Sequence, residues 1–148
     1  MPAPEPQFDD FYREVILDHF RRPRNRGTLP GTPIHAEGLN PTCGDEILLD
    51  LQVDEGVIGA MAFGGAGCSI SQASASMLTA RLTGTTLEEA EHVASLFKAM
   101  LLEHAEPAPE LGDLEALQGV AKFPVRVKCA ILSWNVLQEG IAQARSLS

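Results

Sequence analysis

One change of hydrophobic period divides this chain and limits what it can become. Ile47, Leu49, Leu51 and Val53 alternate with Leu48, Asp50 and Gln52, the period of a strand with one buried face. Asp54-Glu55-Gly56 then reads as a turn. Val57 to Phe63 follows as a second strand, apolar on both faces and therefore expected to be the central one. Thr32 to Gly38 supplies a third, so that residues 30–63 form an antiparallel meander. After Gly64-Gly65-Ala66-Gly67 the period turns helical and stays so. Ser69 to Leu82 is a helix rich in small residues and closed by Gly84. Overlapping capping boxes in Thr85-Thr86-Leu87-Glu88-Glu89 open the next, whose stripe is Leu87, Ala90, Ala94, Phe97 and Leu101. Glu106-Pro107-Ala108-Pro109 breaks it, and Asp113 to Gln118 is expected to form a short helix. Pro124 starts the last helix, with Val127, Ala130, Ile131, Trp134, Leu137 and Ile141 at helical spacing. Ahead of the strands, Asp9 and Asp10 suit a helix start, Tyr12, Val15, Ile16 and His19 share one face, and Pro23 ends it. Helix, strands, then helices is an α+β order.

A chain of 148 residues fits one domain, expected over 8–148, with the proline-rich residues 1–7 as a disordered leader. Hydrophobic residues at 45% against 21% charged argue against global disorder. A net charge of −9 opposes nucleic acid or an anionic membrane as partner, since both are polyanions. No apolar run approaches the ~20 residues of a membrane span. The first residues show neither the basic start nor the apolar stretch of a secretion signal, so the expected compartment is the cytoplasm. Arg21, Arg22, Arg24 and Arg26 are the one basic cluster. They complement a helix C-terminus or form a docking patch for an acidic surface.

Cys43, Cys68 and Cys129 are odd in number and far apart, which does not suggest a disulfide framework. As isolated residues they would be small buried hydrophobes, and Cys129, between apolar helical neighbours, suits packing on its own. Each nevertheless falls at an element boundary, where loops and helix starts can aim several thiolates at one point. Cys68 follows a glycine-rich turn into a helix, where unpaired backbone N–H groups lower a thiol pKa. Cys43 and Asp45, separated by Gly44, would project the same way from an extended chain. Three thiolates and a carboxylate make a four-ligand set for zinc or an iron–sulfur cluster. The carboxylate is the harder donor and the easier to displace from a borderline metal, which suits a site that receives something or gives something up. His19, His35, His92 and His104 are scattered, and His92 and His104 read as helix-surface residues. Gly65-x-Gly67 lacks the rest of a nucleotide loop.

Cys43-Gly44-Asp45, Gly64-Gly65-Ala66-Gly67-Cys68-Ser69-Ile70-Ser71 and Phe123-Pro124-Val125-Arg126-Val127-Lys128-Cys129 together resemble the IscU/NifU-type iron–sulfur cluster assembly family. The resemblance runs along nearly the whole chain. Lys128 before the last cysteine, Lys122-Phe123-Pro124-Val125-Arg126 where a Leu-Pro-Pro-Val-Lys chaperone motif would stand, and a longer step from Cys68 to Cys129 resemble the SufU branch. The resemblance implies a three-stranded antiparallel sheet with helices packed on it. It implies Cys43, Asp45, Cys68 and Cys129 as ligands of Zn2+. It also implies a sulfurtransferase-like accessory that takes persulfide sulfur from a pyridoxal-phosphate cysteine desulfurase (SufS-like) and serves downstream SUF assembly proteins. Cys43, on a loop, is then the sulfur acceptor. Arg126, one helical turn before Cys129, would offset the negative charge left on the site, unless it lies on a solvated helix face. The other readings are a scaffold holding a transient [2Fe–2S] cluster on the same four groups, and a purely structural zinc protein.

Overall fold

The sheet forms where the alternation is cleanest. In the computed structural model, which describes residues 10–147 with side chains from Arg13 onward, β2 (Asp45–Asp54) pairs antiparallel with β1 (Ile34–Asn40) and β3 (Val57–Ala66) in the order β1-β2-β3. The expected leader at 1–7, Asp9 and the side chain of Tyr12 lie outside the described residues. Ile47, Leu49 and Leu51 point into the core at 1% exposure or less. The central strand is therefore β2, not the 57–63 strand expected from its two apolar faces. The register explains the difference. Met61 and Phe63 pair with Leu51 and Leu49 on the inner face, whereas Ala62 and Ala60 pair with Asp50 and Gln52 on the outer one. The outer face of β3 is apolar only because it carries alanines, which need no second layer of strands. Its free edge is covered by the connector after α1 (Asp10–Arg21): Phe63 N donates to Asn25 O at 3.0 Å and Gly27 N to Phe63 O at 2.8 Å.

Of the four helices, α1 being followed by α2 (Ser69–Leu82), α3 (Leu87–Leu102) and α4 (Pro124–Ser146), α2 and α4 pack on the sheet, while α1 lies against α2 and α3 against α4. The bounds of α2 and the start of α4 are those read from the sequence. Thr86 caps α3 by accepting from Glu89 N at 3.1 Å, as the capping box required. α3 ends at Leu102, ahead of the proline break, and His104 lies beyond it at φ 56, so His104 is a loop residue rather than a helix-surface one. The short helix expected at 113–118 is a longer 3₁₀ segment, Pro109–Lys122, broken at Gly112 (φ 55, ψ −130). It buries Leu111, Leu114, Leu117 and Val120, apolar positions that lie partly outside the expected span. Among the described residues no helix is long and apolar enough to cross a membrane.

The small residues of α2 have a physical reason. The helix is buried on several sides, and its hydroxyls serve neighbours on both flanks. Ser74 Oγ donates to Ala130 O on α4 at 2.6 Å and accepts from Trp134 Nε1 at 3.1 Å. On the other flank Ser76 Oγ accepts from Arg24 N and meets His19 Nδ1, each at 2.8 Å. Thr79 Oγ1 accepts from Asn25 Nδ2 at 3.1 Å. Burial holds the His19 imidazole below its ordinary pKa, with Arg24 acting in the same direction. Arg22 and Arg24 pair with Asp18 in the last turn of α1, so these two behave as cations at a helix end. Ser74→Ala should cost about 1–3 kcal/mol in chemical denaturation, because it leaves the buried Trp134 N–H without an acceptor. A loss under ~0.5 kcal/mol would mean that the indole finds another partner.

Candidate metal centre

Three corners of the fold meet at the end of the sheet where β1 turns into β2 and β3 ends. At the first, residues 41–44 close a hairpin between Asn40 and Asp45, with Cys43 N donating to Asn40 O at 3.2 Å. Gly44 stands at φ 70. Cys43 and Asp45 are thus brought together by a left-handed turn, not by the extended chain assumed from their spacing. A hairpin must reverse direction there, and glycine takes that φ without the Cβ penalty.

The second corner joins β3 to α2. Gly67, at φ 157, leaves room that a Cβ would fill: it would lie 2.3 Å from Asp45 Oδ1 and 2.7 Å from Ser71 Oγ. Through that opening Cys68 N donates to Asp45 Oδ1 at 2.9 Å. Cys68 is the N-cap of α2 in extended conformation, and Ser71 Oγ donates to its carbonyl at 3.1 Å. The third corner is the second turn of α4, where Cys129 is fully buried. Its Sγ lies 2.9 Å from Cys43 Sγ, and both thiols face the Val125 carbonyl, at 3.6 Å and 3.8 Å respectively.

One donor atom each from Cys43, Asp45 and Cys129 lies within 4.8 Å of the others. Cys68 is outside this close trio and joins it through Cys129, whose thiol donates to the Cys68 sulfur. That hydrogen bond, together with the Ser71 and Ile70 backbone N–H groups at the start of α2, lowers the Cys68 pKa to about 6 against the opposing effects of burial and Asp45. Cys129 moves the other way, since its hydrogen bond to the Cys68 thiolate holds the proton on Cys129 and burial disfavours a second thiolate. The pair therefore behaves as one thiolate and one thiol.

Asp45 is 1% exposed, and its Oδ2 has no hydrogen-bond partner among the described residues. A buried carboxylate with an unpaired oxygen is costly unless a cation answers it. A thiolate-rich set with one carboxylate is what tetrahedral zinc takes, so the residues fit that ion. Arg126 is 7% exposed on the first turn of α4, which overturns its alternative reading as part of a solvated helix face. Lys128 is exposed. The spacing gave no reason to single out the Val125 carbonyl or Ser71. Both reach the site by standing one helical turn from a cysteine, a signal readable only once the cysteines are taken as a set.

The description "NifU-like N terminal domain" matches residues 11–143. The zinc-dependent sulfurtransferase SufU of Bacillus subtilis is 46% identical over 136 residues, covering 91% of this chain and 92% of that protein. The iron–sulfur cluster assembly scaffold protein IscU of Streptococcus pyogenes is 45% identical over 140 residues, covering 93% and 87%. The crystal structure of a NifU-like protein (N-terminal) from Brucella abortus shares the fold at a TM-score of 0.86 and 23% identity, covering 95% of this chain and 98% of that one.

Proposed function

Because the chain belongs to the NifU-like N terminal domain family, we propose that it is a zinc-dependent sulfur acceptor in iron–sulfur cluster assembly. The observation that carries this reading is the buried, unpaired Asp45 oxygen beside the Cys43 and Cys129 thiols. Cys43, Asp45, Cys68 and Cys129 would hold the zinc ion. When bound, zinc would keep the thiols ionised and shield them from oxidation.

Cys43 is the acceptor in this reading, because it is half-buried at a hairpin while Cys129 is fully buried in a helix. The donor is a protein persulfide on a pyridoxal-phosphate cysteine desulfurase. The Cys43 thiolate attacks the outer sulfur, a new S–S bond forms on Cys43, and the donor cysteine leaves as a thiolate. No external oxidant or reductant enters. Arg126, buried one helical turn before Cys129, would offset part of the negative charge of the donor set. The protein is then an accessory to the desulfurase, working in the cytoplasm and passing sulfur to downstream SUF proteins.

The scaffold reading, a transient [2Fe–2S] cluster on the same groups, is supported by the IscU relative. One experiment separates the two. Aerobically purified protein is expected to be colourless, to carry one zinc per chain, and to accelerate a desulfurase. Brown protein that donates a cluster to an apo acceptor would replace the relay by the scaffold.

A further inference from the structure

One member of the basic cluster does something its sequence position does not suggest. We propose that Arg26 is a positioning residue for Cys68, clamping the β3–α2 corner from both sides. The proposal rests on the reading of Cys68 as a metal ligand. Arg26 Nη2 donates to the carbonyl of Gly65, three residues before Cys68, at 2.7 Å. Arg26 Nη1 donates to Oε1 of Gln72, four residues after Cys68, at 2.8 Å. Gln72 is tied to the cysteine directly, since its backbone N donates to Cys68 O at 3.1 Å. The two arms of one planar guanidinium thus hold the strand that leads into Cys68 and the helix that leads away from it.

The clamp stands on a fixed base. The guanidinium lies over the Phe63 ring, 5.4 Å from its centroid, and Phe63 is fully buried. The backbone on either side of Arg26 is bonded to both polar groups of Phe63. The corner it reaches is held on its β2 side, where Ala66 and Gly65 pair with Glu46 and Ile47, but has few side-chain ties. Gly64, Gly65, Ala66 and Gly67 offer no polar side chain, and Cys68 makes no side-chain cap for α2. Asp45 secures Cys68 N from within. On the outer side the corner borders an open pocket of about 270 Å³, lined by Phe20, Pro23, Arg26, Gln72 and the glycine turn itself. Without the arginine fork that side of the turn would face solvent, and Cys68 would sample positions away from Cys129. The cost would fall on metal retention more than on the fold.

The test uses the full chain loaded with zinc. Arg26→Met keeps the aliphatic stem over Phe63 and removes both donors. It should bind one zinc but release it to a colorimetric chelator about tenfold faster than wild type, the low end of what outer partners of metal ligands contribute. Arg26→Lys, which reaches one acceptor at a time, should release at an intermediate rate. Should Arg26→Met not fold, Gln72→Leu cuts one arm alone and carries the same expectation at smaller size. A merely structural arginine would lower the melting temperature of the loaded protein and leave the release rate, measured well below melting, unchanged; that result overturns the clamp alone. Wild-type protein that takes up no zinc would sink the functional reading, and the clamp with it.

Discussion

Cys43→Ala is expected to give a folded protein that accepts persulfide sulfur at least ~100-fold more slowly than wild type. The fold should survive because Cys43 contributes little to it. It lies half-buried in the hairpin at residues 41–44, at the margin of the core, with its thiol against Cys129 Sγ and the Val125 carbonyl. The main core is made elsewhere, by the inner face of the sheet, α2, α4 and the 3₁₀ segment. Losing a partly buried thiol of this size costs about 1 kcal/mol. Cys129→Ala would be a poorer test, because that residue is fully buried and its removal mixes packing loss with ligand loss. A purely structural zinc site predicts a different outcome for Cys43→Ala: binding worth ~10–16 kcal/mol would be compromised and the chain would unfold. Circular dichroism, zinc content and a persulfide mass shift on the protein after incubation with a desulfurase read all three quantities. Sulfur accepted at the wild-type rate would remove Cys43 from its role and the relay as described here with it.

What could be read in advance divides along a physical line. Elements set by local chemistry were legible. The glycine turn and small-residue run gave α2 from Ser69 to Leu82, and Thr86 with Glu89 gave the start of α3. Contacts between distant segments were not. Val57 to Phe63 suggested a central strand because alanine and valine look alike to a hydrophobic pattern. Only the pairing of Ala62 with Asp50 shows that one of its faces is outward. At the site, the three motifs point to residues that the fold gathers at one end of the sheet, but spacing supplied the wrong geometry for Cys43 and Asp45. A hairpin, not an extended chain, aligns them, and a turn's handedness depends on the register of the strands it joins. The step of three from Arg126 to Cys129 suggests charge support for the site, but the burial of Arg126 depends on what packs against that helix. Arg26 is the clearest case. Its neighbours in sequence make it part of a basic patch, yet its partners are 39 and 46 residues away.

The glycine at the centre of the site permits the sharpest test of that geometry. Gly67→Ala should remove most of the zinc, with stoichiometry well below one and chelator release more than ~100-fold faster, while the sheet and helices remain. The added Cβ would lie 2.3 Å from Asp45 Oδ1, and 2.7 Å from Ser71 Oγ on the other side. Neither can retreat easily. Asp45 is 1% exposed and held by Cys68 N, and Ser71 is also 1% exposed and bonded to the Cys68 carbonyl. Overpacking of this kind costs about 1–3 kcal/mol in a well-filled interior, with a further contribution from the unfavourable φ. It would fall on the contact that seats the carboxylate beside the thiols. Gly56→Ala, in the turn between β2 and β3 away from the site, is the control. Its φ of 77 imposes a left-handed penalty of about 1–2 kcal/mol, but its Cβ meets nothing within 4 Å. The control should therefore lose some thermal stability and keep its zinc, whereas Gly67→Ala should lose more stability and most of the metal. Equal zinc content and equal release in both would show that the approach of Asp45 to Cys68 through Gly67 does not govern the metal, and the donor set would have to be redrawn without the carboxylate.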